Sequence, residues 1–325
     1  MSRLKTTCII DTYNHERFVC DAIESALTQT LPFDEILVVD DASTDQSRSI
    51  LLERYGDHEK IDLIFRSSNG GQLACIQSGV LASTGDICCF LDGDDRLHSN
   101  YLERLLPHYQ SHRNCMCAFV SCEEFNYPIR RPFSRPGNQI AGFSVGITLL
   151  GNTFIGAPTS CLSFRREILI KMFPYPLVSD WVIRADDYLI GVSSLLGARK
   201  YYVDEKLVSF RWHDQNNSWT CKEKLASYRR RLSLNRLRCF YESSLGMDAE
   251  SLYDDLHREF ETWGNPSWKL LSWYARTILQ SRQNLIRKMS QIASLIKHKI
   301  RTRLHPNESE VGSEHYCTLL YHDDE

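Results

Sequence analysis

The chain has no uninterrupted apolar segment approaching the ~18 residues that a membrane-spanning helix requires. Its N-terminus lacks the apolar stretch of a secretory signal peptide. Its twelve cysteines lack the spacing of a zinc site, and they lie singly or in short apolar runs rather than in a disulfide framework. We therefore expect buried thiols in a protein of the reducing cytoplasm.

Net charge is also low, at -3 for 325 residues, so it does not indicate a nucleic-acid partner and we expect none. Charge is distributed unevenly along the C-terminal region. Residues 282–303 carry seven Lys/Arg and no acid, whereas residues 305–325 carry six acids and no Lys/Arg. Within the basic segment, apolar residues at helical spacing form one stripe: Leu285, Met289, Ile292, Ile296 and Ile300.

Two interpretations of this stripe stay open. The helix lies on an anionic membrane surface, which would be a peripheral membrane contact through 282–304. Alternatively, it packs on the rest of the protein or on a partner chain and leaves a solvated basic face.

Short apolar runs alternate with segments of helical periodicity through the first hundred residues. This alternation predicts βαβ units on a parallel sheet, and hence an α/β fold. The strand-like runs are 6–10, 35–39, 63–66 and 87–91, and the helical segments are 18–28, about 50–52 and 72–81.

The pattern changes along the second half of the chain. Residues 136–164 carry no charge, which predicts a buried or cleft-lining loop region. Beyond Ser218 glycine is rare and helical periodicity continues to about Leu304. We therefore predict an α/β domain over 1–220, a helical extension over 221–304, and a flexible acidic tail over 305–325.

Polar clusters follow three of the predicted strands. Thr12-Tyr13-Asn14 follows the first and Asp40-Asp41 the second, while Asp92, Asp94 and Asp95 follow the fourth. Ligands of parallel sheets bind beyond the carboxyl ends of the strands, so these clusters predict a site. An oxygen-only set such as Asp92-Gly93-Asp94 suits Mg²⁺ or Mn²⁺ bound together with phosphate oxygens. A solvated acidic turn without a metal is the alternative.

The second cluster has two expected roles. A carboxylate at Asp41 can accept hydrogen bonds from a base N–H or from ribose hydroxyls. Residues 43–45, Ser-Thr-Asp, are expected to cap the helix that follows.

The motifs resemble those of family 2 glycosyltransferases, which have a GT-A fold. Matching segments are IIDTYNHERFVCDAIESALTQTLPFDEILVVDDASTD and SNGGQLACIQSGVLASTGDICCFLDGDD. They are similar to the family's T-Y-N, A-I-x-S-x-L-x-Q-T, V-V-D-D-G-S-T-D and L-D-x-D-D elements in order and spacing. The resemblance is close over about 5–105, the nucleotide-binding half, and looser over the acceptor half, about 106–220.

This resemblance implies an inverting transferase that moves a sugar from a nucleotide-diphosphate sugar, UDP-linked in the favoured case, to an acceptor hydroxyl. The acceptor would be a glycan or a lipid-linked molecule, and the cofactor Mn²⁺ or Mg²⁺. The implied nucleotide-binding residues are Thr12, Tyr13 and Asn14, with Tyr13 against the base, and Asp41, Gly71 and Asp92; the implied metal ligand is Asp94.

The second half supplies the implied base. The family has an acid three positions before a leucine at a helix start, and Asp186 holds that position before Leu189 in the predicted helix 181–196. Asp186 is the implied general base and Asp187 the competing candidate. The alternative is that both acids merely cap the helix, because acidic residues are favoured in the first turn of any helix. The element FRWHDQNNS resembles a family R-x-H-x-x-N-x-S motif, in which His213 would bind metal or phosphate and Arg211 phosphate.

Departures from the family pattern weaken the base-recognition argument. Asp11 stands where proline is usual and Ala42 where glycine is usual, while Ile76 and Gln77 replace an Arg-Asn pair. Two other functions remain open. A nucleotidyltransferase also gathers carboxylates at strand ends, but usually with a glycine-rich basic loop that the first turn here lacks. The other is a non-catalytic nucleotide-sugar-binding scaffold.

Overall fold

The computed structural model describes residues 3–125, 139–213 and 224–304. The predicted tail and the predicted domain boundary near 220 lie outside those residues, and the domain limits stay predictions. The strands are β1 (Thr6–Thr12), β2 (Glu35–Asp40), β3 (Ile61–Phe65), β4 (Ile87–Asp92), β5 (Arg96–Leu97), β6 (Cys115–Phe125), β7 (Gln139–Gly142), β8 (Leu162–Arg165) and β9 (Arg199–Arg211).

The helices alternate with the strands in the first half and dominate the end of the described chain. They are α1 (Val19–Leu27), α2 (Ser47–Tyr55), α3 (Gln72–Ala82), α4 (Tyr101–Ser111), α5 (Val145–Leu149), α6 (Arg166–Met172), α7 (Ala185–Leu195), α8 (Lys224–Ser244), α9 (Ala249–Glu261), α10 (Trp268–Gln280) and α11 (Leu285–Leu304). Two 3₁₀ turns lie at Thr159–Cys161 and Val178–Trp181.

One sheet of these elements has the strand order β3-β2-β1-β4-β8-β6-β9-β5, with β7 paired to β9. The four strands β3, β2, β1 and β4 are parallel, as the βα alternation predicts. Strand β8 is antiparallel to both β4 and β6, and β6 is parallel to β9. The predicted α/β fold with a mostly parallel sheet in its first half is confirmed. Helices pack against the sheet there, and β1, β2 and β4 are almost wholly buried.

The predicted helix over 181–196 begins later than expected, at Ala185. Val182 O accepts a hydrogen bond of 2.9 Å from Gln72 N, so this segment is held as a loop against the start of α3. Gly71, with φ 86°, lies so close that a Cβ would come within 2.3 Å of Val182 Cα. Arg184 then adopts φ 66° immediately before α7.

The expected cap of α2 also differs. The helix begins at Ser47, whose backbone N donates to Asp45 Oδ1 at 2.9 Å. Ser43 and Thr44 instead connect this loop to Asn14: Asn14 N donates to Ser43 Oγ at 2.9 Å, and Thr44 N donates to Asn14 Oδ1 at 2.8 Å. Ala42, which precedes Ser43, has φ 58°, a backbone conformation that glycine adopts most easily. This explains why the family usually has glycine at this position.

The C-terminal helices pack on the uncharged segment through a buried carboxylate. Glu259 on α9 accepts hydrogen bonds from Gly146 N at 2.7 Å and Ile147 N at 3.0 Å, which are otherwise unsatisfied in the first turn of α5. It also accepts from Tyr274 Oη on α10 at 2.7 Å. Residues 141–149 are buried, as predicted, but they contain the end of β7 and all of α5 and so are not a continuous loop. Among the described helices, none is both long and apolar enough to cross a bilayer.

Candidate active site

Strand pairing brings the predicted polar clusters to one edge of the sheet. Asp11 and Thr12 are at the end of β1, where Asp11 pairs with Asp92 of β4 and Thr12 with Asp40 of β2. Asp41 N donates to Thr12 O at 2.9 Å, which continues this pairing past the end of β2. The parallel register therefore places three separate sequence motifs side by side.

The acidic cluster beyond β4 is a candidate metal centre. One oxygen each from Asp92, Asp94 and Asp95 lies within 4.8 Å of the others. Asp95 is buried and already engaged: Ser160 Oγ donates to its Oδ2 at 2.6 Å, and Arg211 N donates to its Oδ1 at 2.8 Å. Asp92 and Asp94 are only partly buried, so they are the members that face the edge of the sheet.

The carboxylates of the cluster lie close together and are shielded from solvent, and both conditions disfavour their ionised forms. Burial, and then the charges of Asp11 and Asp95, raise the pKa of Asp92 well above its usual range. Burial and the charge of Asp94 raise the pKa of Asp11 to about 8. Asp11 Oδ1 is buried and has no hydrogen-bond partner within the described parts of the chain. A divalent cation fits this set, because it would neutralise crowded carboxylates with the hard oxygen ligands that Mg²⁺ and Mn²⁺ prefer.

Two histidines flank Asp94. His213 Nε2 is 2.8 Å and His15 Nε2 is 3.9 Å from Asp94 Oδ2. Burial alone would raise the pKa of Asp94, but the hydrogen bond from His213 and the neighbouring imidazole of His15 outweigh burial and lower it. His213 packs at a tilt against the Phe18 ring, with 4.6 Å between the ring centroids. His213 thus lies beside the predicted metal ligand.

Arg211 has protein partners in the structure. Its Nε donates to Asp94 O at 2.8 Å, and its Nη2 donates to Asp21 Oδ2 at 2.7 Å. The guanidinium also lies 4.8 Å from the centroid of the Phe18 ring. Arg211, predicted to pair with phosphate, therefore orients the loop that carries Asp94.

Asp41 is buried and holds the turn before α3. Its carboxylate accepts from Gly71 N at 2.7 Å, from Gly70 N at 3.0 Å and from Arg66 Nε at 2.8 Å. These donors occupy most of its acceptor capacity. Tyr13 is exposed at the same edge, with 38% of its surface accessible, whereas Thr12 is buried.

Gln72, at the start of α3, connects the acidic cluster to α7. Its Nε2 donates to Asp92 Oδ1 at 3.0 Å, and its Oε1 accepts from Ala185 N at 3.1 Å. One side chain therefore fixes both a strand-end carboxylate and the first turn of the helix that carries Asp186. Because Ala185 directly precedes Asp186, the two contacts of Gln72 bring Asp186 close to Asp92, and the charge of Asp186 contributes to raising the pKa of Asp92.

Asp186 and Asp187 both lie in the first turn of α7, as predicted, but their surroundings differ. Arg184 Nε and Arg230 Nε donate to Asp187 Oδ2 at 2.8 Å and 2.6 Å. These arginines outweigh the effect of burial and lower the pKa of Asp187. Burial and the adjacent Asp187 raise the pKa of Asp186 to about 6, and no described Lys or Arg forms an ion pair with it.

Sequence reasoning missed several residues of the site. Ser160 donates to Asp95 and also accepts from Asp92 N at 3.0 Å, so it positions the acidic turn from the 3₁₀ turn that precedes β8. Gln72, His15 and Arg230 were likewise not singled out. His15 carried a signal, since it directly follows the T-Y-N motif, and so did Gln72, which directly follows the predicted binding residue Gly71. The others approach the site from segments that no local pattern connects to it.

Comparison with known proteins agrees with this geometry. The family model described as glycosyl transferase family 2 matches residues 7–173, about half of the chain. A glycosyltransferase of Nostoc sp. strain PCC 7120 is 34% identical over 66% of this chain and 66% of its own length. TuaG of Bacillus subtilis strain 168, described as a teichuronic acid biosynthesis glycosyltransferase, is 31% identical over 50% of this chain and 64% of its own length. The chain thus spans just under two thirds of these relatives.

The fold is similar to that of S. aureus TarS 1-349. The complex of that protein with UDP superimposes with a TM-score of 0.52 at 17% identity, over 97% of this chain and 78% of TarS 1-349. Its complex with UDP-GlcNAc gives a TM-score of 0.54 at 17% identity, over 96% and 78%. The α/β sheet and its acidic edge thus define a GT-A-like protein. The chain belongs to glycosyltransferase family 2.

Proposed function

We propose that the protein is an inverting glycosyltransferase that moves a sugar, of the hexose type, from a UDP-sugar to an acceptor hydroxyl. The observation that supports this most strongly is that the site has carboxylates in two separate places with different surroundings. Asp92 and Asp94 form an acidic edge, and Asp186 is a separate nearby carboxylate with a pKa raised to about 6. A single base acting opposite the leaving group would invert the anomeric centre.

The base is proposed to be Asp186 rather than Asp187. A general base needs a carboxylate free to accept a proton, with a pKa near the operating pH. Asp187 has two arginine partners that hold it ionised and oriented. Asp186 would take the proton of the attacking hydroxyl, while Gln72 fixes the helix start through Ala185 N. Asp187 then acts by positioning the first turn of α7.

The leaving diphosphate is proposed to lie against Asp92 and Asp94 together with a divalent cation. Asp94 would bind Mn²⁺ or Mg²⁺, with His213 as a further ligand, and the cation would stabilise the negative charge of the departing diphosphate. The hydrogen bond that His213 makes with Asp94 keeps that carboxylate ionised and therefore competent to bind. Asp92, held by Gln72, would contact the ribose or the water shell of the ion.

The nucleoside is proposed to lie across the ends of β1 and β2. The exposed ring of Tyr13 would stack against the base, beside buried Thr12. Asn14 would shape this pocket by fixing the neighbouring loop through Thr44 N. Asp41 would contribute to base recognition partly in an indirect way, because it accepts a hydrogen bond from Gly71 N and so fixes the position of Gly71. TarS complexes with UDP and UDP-GlcNAc support the choice of a uridine donor.

The acceptor is proposed to be a glycan or a lipid-linked molecule in polysaccharide, glycolipid or glycan assembly. The description of TuaG as a teichuronic acid biosynthesis enzyme supports this class. We propose that the reaction takes place in the cytoplasm, at the inner face of the membrane. The free and mostly buried cysteines of the described residues support a reducing compartment.

The proposal is tested by measuring nucleotide release from a panel of UDP-, GDP- and dTDP-sugars with Mn²⁺, in the presence of a membrane and glycan extract as acceptor source. We expect acceptor-dependent release of UDP that is lost in Asp94→Asn and Asp186→Asn. Release from a GDP- or dTDP-sugar alone would contradict the uridine donor. Binding of a UDP-sugar without any turnover under these conditions would indicate a scaffold instead of an enzyme.

A further inference from the structure

Helix α11 exposes the apolar stripe that the sequence analysis found. Leu285, Met289, Ile296 and Ile300 are spaced by 4, 7 and 4 residues, so they lie along one face. Their exposed fractions are 70%, 55%, 40% and 48%, and Ile286 at 83% and Leu304 at 68% extend the same surface. Only Ile292 of the predicted stripe is partly buried against the core. The interpretation that this stripe packs on the rest of the protein is therefore wrong for most of its length, whereas packing on a partner chain stays a prediction.

The opposite face of α11 is buried and mostly polar. Gln291, Leu295, His298 and Thr302 are spaced by 4, 3 and 4 residues and face the other C-terminal helices. Gln291 Nε2 donates to Tyr253 O at 3.1 Å, and His298 Nε2 is 2.9 Å from Trp263 O. Because these two nitrogens bond to backbone carbonyls of the neighbouring elements, the orientation of the helix is fixed by specific bonds. The helix is thus held with its apolar side outward.

Positive charge lies beside the exposed stripe. The segment 282–303 contains seven Lys/Arg and no acid. Arg282, Lys297, Arg301 and Arg303 are exposed, and within the described chain none of them has an acidic partner within 4.0 Å. Lys297 and Arg301 directly follow Ile296 and Ile300, so they lie along one border of the apolar residues. The surface therefore combines apolar side chains with unneutralised cations.

We propose that this face of α11 is a docking surface for an anionic lipid bilayer. An apolar stripe bordered by lysine and arginine matches the boundary between acyl chains and anionic headgroups. The helix would lie in the plane of the surface, with Met289, Ile296 and Ile300 inserted and the cations beside the headgroups. A second protein chain would need an acidic surface with an apolar centre, and the bilayer supplies both features without a specific shape.

Co-sedimentation of the full chain with vesicles tests this surface without any sugar nucleotide, so its outcome is separate from that of the proposed function. Vesicles of phosphatidylcholine with about 30% phosphatidylglycerol, which gives them a negative surface potential, are compared with pure phosphatidylcholine. We expect binding to the anionic vesicles that weakens as salt rises. Lys297→Gln with Arg301→Gln is expected to weaken it about 30-fold, about fivefold for each cation.

Loss of apolar contact should act independently of charge. Ile296→Gln with Ile300→Gln is expected to weaken vesicle binding by at least about tenfold. The matched control is Leu52→Gln with Leu81→Gln, which removes equally exposed apolar residues, 54% and 50% accessible, from α2 and α3. This control should bind like the unchanged chain. All variants change exposed residues, so circular dichroism should show the same folded spectrum for each.

Three outcomes would overturn the proposal. One is absence of vesicle binding by the unchanged chain. Another is equal binding to neutral and anionic vesicles. The third is a dimer, measured by analytical ultracentrifugation, that the Ile296→Gln and Ile300→Gln changes dissociate, because the stripe would then be covered by a second copy of the chain.

Discussion

Asp186 and Asp187 are neighbours in the chain, yet among the described residues only Asp187 has arginine partners. Arg230 from α8 donates to Asp187 Oδ1 and Oδ2 at 2.7 Å and 2.6 Å, in a two-pronged contact. This contact directs one carboxylate toward the C-terminal helices and leaves the other for the acidic edge. The roles of the two residues should therefore separate under substitution.

Asp186→Asn is expected to reduce kcat by about 10²–10⁴, because the neutral amide cannot accept the acceptor proton. Its Tm should stay the same or rise by a few degrees, since the change removes one of two adjacent negative charges. Asp187→Asn should instead cost about 1–2 kcal/mol of stability, a value limited by the partial exposure of the two arginines. Steady-state kinetics and thermal unfolding of both variants check this. Equal kcat losses with equal Tm values would contradict the assignment.

The pH dependence of turnover follows from the pKa of Asp186. This pKa is raised from 3.8 to about 6, so the base form predominates only above about pH 6. We expect kcat/KM to rise through pH 6 and then to level off. In Asp187→Asn the negative neighbour is lost while Arg184 and Arg230 remain. Both effects lower the pKa of Asp186, so the acidic limb should move to lower pH. A limb that stays at the same pH in that variant would argue against Asp186 as the titrating base.

Gln72 joins Asp92 to the start of α7, so its removal should loosen both. Gln72→Ala is expected to lower kcat by roughly tenfold, with Gln72→Glu more severe because it adds a charge beside Asp92. Gln77→Ala on the same helix is the matched control, since Gln77 Oε1 accepts from Tyr175 N away from the acidic edge. Comparable kcat losses in Gln72→Ala and Gln77→Ala would show that the effect is merely structural.

Metal binding should depend on Asp94 and, to a lesser degree, on His213. Mn²⁺ without nucleotide should raise the Tm of the unchanged chain, and Asp94→Asn should remove that rise. His213→Gln removes a cause of the low pKa of Asp94, so its Mn²⁺ response should be weaker and should recover at higher pH. Asp62→Asn, on the exposed side of β3, should respond like the unchanged chain. A full Mn²⁺ response in Asp94→Asn would place the ion elsewhere.

The first half of the fold could be predicted because its signals are local. Apolar runs that end in polar clusters identify β1, β2 and β4, and parallel pairing then brings Asp11, Thr12 and Asp92 to one edge. The second half could not be ordered, because β8 inserts between β4 and β6 through contacts that no periodicity reports.

The supporting residues of the site were hidden for a related reason. Ser160, Gln72 and Arg230 act on aspartates 68, 20 and 43 residues away in sequence. The orientation of α11 was equally undetermined, because a hydrophobic stripe is the same whether it faces a core or a membrane. The hydrogen bonds of Gln291 and His298 show which face of α11 is turned inward, and both depend on partners from α9 and the loop that follows it.

The most direct measurement is the anomalous scattering of manganese in crystals grown with UDP and Mn²⁺. The account predicts a single strong peak within coordination distance of Asp94 and close to His213, with the diphosphate beside it and the base near Tyr13. It also predicts that Asp186 faces the open side of that diphosphate. A manganese peak remote from Asp94, or UDP bound away from the ends of β1 and β4, would contradict it.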